Sequence, residues 1–318
     1  MSFSSEVKRE LLSAESRAAH CQLAELAGML CGAGSMQKEG SCLYVVFVTE
    51  QEQAALRYHG LLRAAGLTAE VTQVHHLQQK NKLSHVVKLT AQQDVRRLLL
   101  SLQIMEQDGR IHEGLRVCDA LLKRNCCRRA FLRGVFLTSG SISNPKKSYH
   151  FEIVCNARDK AQQVREQLRA FELDAKIVSR KNHEIVYLKE GSQIVDALNV
   201  MGAHAALMNL ENVRIIKEMR NDINRRVNCE TANINKTVSA ACRQKEAIRF
   251  LQKQGKLKEL SRQLQEMARL RMEYPEAAIK ELGTLCSPPV GKSGVNHRLR
   301  KLEEAAEQTG YEKRNDQA

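Results

Sequence analysis

Two nine-residue stretches decide the fold: LAGMLCGAG at residues 26–34 and LRGVFLTSG at residues 132–140. They align at an offset of 106 residues, which places Gly28 opposite Gly134. Glycine inside a helix costs about 1 kcal/mol relative to alanine. A close helix–helix approach at Gly28 and Gly134 is predicted to offset that cost, because two backbones pack more tightly without a Cβ atom. We therefore expect two copies of one unit whose motif helices pack against each other.

The same offset continues downstream of both motifs. Short β-branched and aromatic runs predict strands, and the segment between them has helical spacing. The matched segments are LYVVFV (43–48) with YHFEIV (149–154), EQAALRYHGLLRAAGL (52–67) with RDKAQQVREQLRAFEL (158–173), and AEVTQV (69–74) with AKIVSR (175–180). Each copy is predicted to run α-β-β-α-β-β-α, the first over about 1–110 and the second over about 120–218. Two four-stranded sheets would then form a curved saddle about a pseudo-twofold axis.

This duplicated unit over residues 1–218 resembles the LAGLIDADG homing endonuclease fold. In those enzymes the motif helix ends in a carboxylate that holds a divalent cation, as metal-assisted phosphodiester cleavage requires. The matching positions here are Ala33 and Ser139, which have no carboxylate. The sequence therefore predicts a retained frame without catalysis: no enzyme, no catalytic residue and no metal at this site.

The composition favours a polyanionic partner. The chain has 318 residues, a formal net charge of +14 and a pI near 9.4, and both the first 220 residues and the remainder are basic. Such charge is most often matched by nucleic acid. The sequence shows neither an apolar run long enough for a membrane helix nor the apolar core of a signal peptide. We expect a cytoplasmic protein with no membrane partner.

Ten cysteines are scattered along the chain without a CxxC pair. That spacing gives little support to a zinc ribbon or a thioredoxin-like site, and Cys126 and Cys127 are adjacent and poorly placed to bridge each other. The expectation is a set of reduced thiols. No metal, cofactor or small-molecule substrate is predicted.

The last third of the chain changes character. Residues 219–237 are polar and Asn-rich and are interpreted as a linker. Its ETANINKT stretch (230–237) either caps a helix through Thr231 or Thr237 or contacts DNA. Residues 238–318 are predicted to be all helical. Within them, a short helix from Pro275, turn chemistry at CSPPVGKSG (286–294) and a helix over 295–307 predict a helix-turn-helix at about 275–307.

The second helix of that motif lies in the major groove, where its N-terminal residues reach base edges. Its polar face combines lysine and arginine side chains, which can donate to guanine or phosphate, with an asparagine, which can pair with adenine. The alternative is a solvated basic helix in an ordinary bundle. The predicted DNA-binding residues are Lys280, Lys292, Ser293, Asn296, His297, Arg298, Arg300 and Lys301.

A degenerate double LAGLIDADG unit joined to a C-terminal helix-turn-helix resembles the WhiA family. The most specific stretches are SFSSEVKRELL (2–12), RRAFLRGVFLTSGSISNPKKSYHFEIV (128–154), ETANINKTVSAACRQ (230–244) and YPEAAIKELGTLCSPPVGKSGVNHRLRKL (274–302). The resemblance implies a nucleoid-associated, double-stranded DNA-binding regulator of transcription or chromosome organisation. It links that regulator to cell division, chromosome segregation or sporulation, with a WhiB-type iron–sulfur partner in some lineages.

Two alternatives stay open at this point. One is a metal-dependent DNA endonuclease that uses other carboxylates. The other is a cell-division scaffold with weak affinity for DNA. The sequence leaves undecided the operator, the oligomeric state and whether the saddle contacts DNA or protein.

Overall fold

The computed structural model describes residues 2–311 except residues 15, 41, 77–81 and 112–115. It divides the chain into two compact units, residues 1–217 and residues 218–318. Among the described residues, no helix combines the length and the apolar character that crossing a membrane requires.

The first unit holds one preceding helix, α1 (Phe3–Ser13), and two copies of the predicted α-β-β-α-β-β-α order, which confirms the expected fold class. The first copy comprises α2 (Ala19–Ala33), β1 (Gly34–Glu39), β2 (Cys42–Thr49), α3 (Glu52–Ala64), β3 (Glu70–His76), β4 (Lys82–Leu89) and α4 (Gln92–Ser101). The second comprises α5 (Asn125–Ser139), β5 (Gly140–Ile142), β6 (Phe151–Cys155), α6 (Arg158–Arg169), β7 (Lys176–Arg180), β8 (His183–Leu188) and α7 (Gly191–Met201).

Each copy builds one four-stranded antiparallel sheet, with strand orders β1-β2-β4-β3 and β5-β6-β8-β7. The registers repeat as well. Phe47 at the centre of the first sheet pairs with Gly34 and Val87. Its counterpart at the 106-residue offset, Ile153, pairs with Gly140 and with a β8 valine. Along β6 the side chains alternate between buried (Phe151, Ile153, Cys155) and half-buried (Glu152, Val154), as expected for a strand with one face on the helical layer.

The motif helices α2 and α5 pack against each other at the centre of the first unit. A Cβ atom built on Gly28 would lie 2.1 Å from the carbonyl oxygen of Phe131, and one built on Gly134 would lie 2.3 Å from the carbonyl oxygen of Glu25. Phe131 and Glu25 are themselves equivalent at the 106-residue offset, so the approach is the same from both sides. Only glycine fits where the backbone of one helix meets the other this closely.

The segment interpreted as a linker, residues 219–237, is helical throughout in the structure. It forms part of α8 (His204–Lys253), and residues 218–239 are exposed on every side of that helix. The stretch is polar but contains neither proline nor glycine, so nothing in it stops a helix. Thr231 and Thr237 are therefore not capping residues; Thr237 Oγ1 instead donates to the carbonyl of Asn233 within the helix, at 2.9 Å.

The second unit is helical, as predicted. After a 3-10 turn (Lys256–Glu259) it contains α9 (Arg262–Glu273), α10 (Ile279–Thr284) and α11 (Lys292–Gln308). Its core gathers residues of α9, α10 and α11 together with Ala247, Ile248 and Leu251 of α8.

The first helix of the predicted pair begins at Ile279, not at Pro275. The buried side chain of Arg271 explains this later start. Its Nη1 donates to the carbonyl of Ala277 at 2.9 Å, so that carbonyl does not accept a hydrogen bond within a helix. The helix then starts where Glu281 accepts a hydrogen bond from the N–H of Ala278, also at 2.9 Å.

Candidate nucleic-acid interface

The helix pair α10 and α11 has the form of a helix-turn-helix fixed on a small core. The inward stripe of α11 is fully buried and consists of Val295, Leu299, Leu302 and Ala306. These residues recur at helical spacing, so one face of α11 packs against α9 and α10. The opposite face is left for solvent or for a ligand.

Gly283 sets the angle of the turn that follows α10. A Cβ atom at this position would lie 2.1 Å from the carbonyl oxygen of Val290. The N–H of Val290 in turn donates to the carbonyl of Gly283 at 2.9 Å. The N–H of Ser287 donates to Glu266 of α9, also at 2.9 Å, which ties the turn to the supporting helix. The glycine thus lets the chain reverse closely enough for α11 to return onto α10.

Most of the predicted DNA-binding side chains are exposed, and all of these except Lys280 lie on α11. The exposed members of the predicted set are Lys280, Lys292, Ser293, Asn296, His297, Arg300 and Lys301. Arg300 is 79% exposed although its Nε donates to Glu304 at 2.8 Å, an i,i+4 pair along the same helix. Such exposed pairs are weak. Arg300 can therefore exchange this partner for a phosphate.

Arg298 differs from the rest of the predicted set. Its side chain is only 14% exposed, and its Nη1 lies 3.9 Å from a carboxylate oxygen of Glu266 on α9. The guanidinium also faces the thiol of Cys286, whose pKa is raised by burial and by Glu266 and lowered by Arg298. Arg298 therefore contacts the supporting helix and the end of α10 from the side of α11.

The N-terminus of α11 has the features of an anion-binding end. Its N-cap residue is Gly291, which offers no side-chain cap, and the first turn contains no acidic residue. The first N–H groups of the helix and the positive end of its dipole point outward beside Lys292 and Ser293. A phosphate oxygen is a natural partner for such an end.

The two motif helices end in residues without a carboxylate. Helix α2 ends at Ala33 and α5 ends at Ser139, the two positions where an endonuclease of this fold has an acid. The helix ends converge, because a Cβ atom on Gly32 would meet the hydroxyl oxygens of Thr138 and Ser139. The hydroxyl of Ser139 donates back to the carbonyl of Val135 at 3.1 Å. Hydroxyl and methyl groups do not replace carboxylates as ligands of Mg²⁺.

A buried ion triad in the first unit was not foreseen from the sequence. Glu25 is completely buried; it accepts from Arg57 Nε at 2.8 Å and from Arg133 Nη2 at 2.6 Å. Arg133 comes from the other repeat, so the triad links the two copies. Glu25 immediately precedes the LAGMLCGAG motif, and the sequence alone gives no sign that this position is buried.

A cluster of four potential metal ligands was missed as well: His20, Cys21, Cys126 and Cys127. The spacing along the chain gave no sign of it, because the two pairs are separated by 105 residues. The signal was present in the repeat, however, since the 106-residue offset places Cys21 opposite Cys127 and His20 opposite Cys126. A pseudo-twofold axis between the repeats brings such equivalent positions together.

The fold and the site define a class: a helix-turn-helix unit joined in one chain to a degenerate LAGLIDADG-like unit. Family models match in three consecutive segments. They are the WhiA N-terminal LAGLIDADG-like domain over residues 19–105, the WhiA LAGLIDADG-like domain over residues 128–220 and the WhiA C-terminal HTH domain over residues 223–306.

Similar proteins match along nearly the whole chain. The probable cell division protein WhiA of Lachnoclostridium phytofermentans is 46% identical over 306 residues, which cover 95% of this chain and 97% of that protein. The probable cell division protein WhiA of Heliobacterium modesticaldum is 47% identical over 309 residues, 96% of each chain. The chain belongs to the WhiA family.

Solved structures show the same fold at low sequence identity. The crystal structure of full-length DUF199/WhiA from Thermatoga maritima matches with a TM-score of 0.57 and 22% identity, covering 98% of this chain and 100% of that one. The N-terminal LAGLIDADG domain of DUF199/WhiA matches with a TM-score of 0.50 and 21% identity, covering 63% of this chain and 90% of that one.

Proposed function

We propose that this chain is a non-enzymatic, sequence-preferring, double-stranded DNA-binding protein that regulates transcription or chromosome organisation. The observation that carries the proposal is the free face of α11. The buried stripe fixes the helix from one side, and the exposed polar residues project from the other. From Lys292 to Lys301 this face extends about 14 Å, a length suited to insertion into a major groove.

The exposed residues divide by chemistry into two roles. Asn296 and His297 follow the first turn of α11, the part of a recognition helix that reaches base edges. Lys292, Arg300 and Lys301 carry charge along the same face and are placed to meet phosphates on either side of the groove. Arg298 acts as a positioning residue, since it contacts Glu266 of the supporting helix.

The outward faces of the two sheets in the first unit carry charges of both signs. On the outward face of its first sheet, the acidic Glu70 pairs with the basic Lys88 across the strands. The second sheet carries both signs too, with Glu152 and Lys176 paired with Tyr187 from opposite sides. A polyanion favours a surface of one positive sign. These faces support assigning DNA readout to the second unit and a protein partner, such as the WhiB-type partner suggested by the family, to the saddle.

The proposal gives the first unit no phosphodiester cleavage, because Ala33 and Ser139 supply no carboxylates at the helix ends. The relatives are described as probable cell division proteins. That description supports a role for this chain in cell division, and the family resemblance adds chromosome segregation or sporulation to the proposal. Its site of action would then be the nucleoid in the cytoplasm.

The test is fluorescence anisotropy of the full chain with genomic duplex fragments over a series of salt concentrations. Lys292→Ala should weaken binding to all duplexes alike and reduce the magnitude of the salt slope by about 1, the change expected for one lost phosphate contact. Asn296→Ala should reduce the preference for the best fragment over a scrambled one. A parallel gel with Mg²⁺ should show intact DNA.

The triple variant Lys292→Ala, Arg300→Ala and Lys301→Ala has a charge-matched control on the exposed side of α8, namely Arg243→Ala, Arg249→Ala and Lys253→Ala. Both triples remove the same charge, so a loss caused by net charge alone would be equal in the two. We expect the α11 triple to abolish sequence preference and the α8 triple to keep it. Equal losses, or cleavage of the DNA, would refute the proposed function.

A further inference from the structure

The first turns of the two motif helices bring four soft-metal ligands to one place. His20 and Cys21 lie in the first turn of α2, and Cys126 and Cys127 lie in the first turn of α5. Their ligand atoms all lie within 4.8 Å of one another. The other clusters and cavities in the described part of the chain offer no comparable convergence of ligand atoms of one chemical type.

The distances fit a tetrahedral site after small side-chain adjustments. His20 Nδ1 lies 3.2 Å from Cys127 Sγ and 3.3 Å from Cys21 Sγ. Zinc bonds of about 2.3 Å to sulfur and about 2.0 Å to nitrogen imply ligand–ligand distances of roughly 3.5–3.8 Å in a tetrahedron. The two distances from His20 Nδ1 to sulfur need to lengthen by a few tenths of an ångström. No other pair of ligand atoms needs to approach by more than about 1 Å.

From this convergence we propose that His20, Cys21, Cys126 and Cys127 bind one Zn²⁺ ion with Cys₃His ligation. Binding would convert the three thiols to thiolates, releasing three protons to solvent, and the neutral imidazole would coordinate through Nδ1. Four protein ligands leave no open position, so this is a structural site and not a catalytic one.

The surroundings favour the resulting charge. Zn²⁺ with three thiolates carries a net negative charge, and it would lie at the N-termini of two helices whose dipoles stabilise an anion there. The N-cap residues Ala18 and Arg124 make no side-chain cap, and neither first turn contains an acid. Both helix ends thus direct unshared positive partial charge toward the cluster.

Burial is the largest influence on the pKa of the thiols of Cys21 and Cys127. Burial and the neighbouring thiols of Cys126 and Cys127 raise the pKa of Cys21 to about 12. Burial and Cys126 also raise the pKa of Cys127.

The site would clamp the two repeats at one end of their motif helices. The glycines at the helix contact lie about two turns further along, so the metal would secure the end that this contact does not reach. Metal that binds the folded chain in preference to the unfolded one raises its thermal stability. The helix-turn-helix unit has no ligand in the cluster, and its DNA affinity should be independent of the metal.

The test uses the full chain, reduced, stripped with a chelator and titrated with Co²⁺ in the absence of oxygen. We expect one equivalent of Co²⁺ to produce intense visible bands of tetrahedral cobalt and a thiolate-to-cobalt charge-transfer band, both bleached by Zn²⁺. Zn²⁺ should also protect Cys21, Cys126 and Cys127 from alkylation, as read by mass spectrometry, and raise the Tm of the first unit.

Cys126→Ser is the decisive variant, because Cys126 is exposed and its loss does not disturb the core. Cys118→Ser is the matched control, as Cys118 is also an exposed cysteine of the first unit. Cys126→Ser should lose the tetrahedral cobalt spectrum while Cys118→Ser keeps it. A wild-type chain that gives no tetrahedral spectrum after reduction, or a Cys126→Ser chain with an unchanged spectrum, would overturn the proposal.

Discussion

Replacing Gly28 by alanine is the most direct test of the helix crossing at the centre of the first unit. The new Cβ atom would lie 2.1 Å from the carbonyl oxygen of Phe131 and 3.0 Å from the backbone nitrogen of Val135. Restoring an ordinary contact of about 3.4 Å to that oxygen requires α2 and α5 to separate by about 1.3 Å, and a packed interior resists such a shift. Because the obstacle is backbone, no rotamer change relieves it.

The expected free-energy change has two opposing parts. Alanine in place of glycine favours the helix by about 1 kcal/mol. Overpacking typically costs about 1–3 kcal/mol, and a backbone obstacle lies at the upper end of that range or beyond it. We therefore expect a net destabilisation of about 2 kcal/mol, which lowers the Tm of a unit of this size by about 4–8 °C.

Differential scanning calorimetry of the full chain measures this shift, with the two units treated as separate transitions. The matched control is Gly60→Ala in α3, where a Cβ atom would meet nothing within 4 Å. There the helix-propensity gain should act alone and raise the Tm by about 2–4 °C. Gly28→Ala with a Tm equal to or above that of the wild type would show that the two helices do not approach as described.

Two further changes probe the link between the repeats and the turn of the second unit. Glu25→Gln leaves Arg57 and Arg133 without their buried carboxylate, so we expect a loss of about 3–5 kcal/mol in urea unfolding of the first unit; a loss below about 1 kcal/mol would mean that the triad is not a buried network. Gly283→Ala would press a Cβ atom against the carbonyl of Val290, 2.1 Å away. Gly283→Ala should lower the Tm of the second unit in calorimetry and weaken DNA binding. A variant with native stability and affinity would contradict the proposed turn geometry.

The frame of the first unit could be predicted because it is encoded twice. A single LAGMLCGAG motif is weak evidence, but a second copy at a constant offset, with strands and helices in the same order, constrains the fold strongly. The glycines Gly28 and Gly134 then predict where the copies meet, because a costly residue inside a helix requires a steric reason. The buried stripe of α11 was readable from its helical spacing alone.

Other features could not be read from local patterns. The polar stretch 219–237 looked like a linker because composition rules weigh polarity, yet a helix without proline or glycine can remain helical in full exposure. Arg298 looks like its neighbours in the sequence, and only the packing of α11 on α9 places it against Glu266. The His–Cys cluster depends on the relation between repeats, which motif spacing along one segment does not report.

The ion triad in the first unit illustrates what fusing two copies into one chain permits. In a homodimer every residue near the axis occurs twice, so an acid there would face its own image. Here Glu25 has Phe131 as its counterpart, and Arg57 has Gln163, which instead makes two hydrogen bonds to the backbone of a neighbouring loop. Because both copies lie in one chain, equivalent positions can carry different residues, a charge in one half and a phenyl ring in the other.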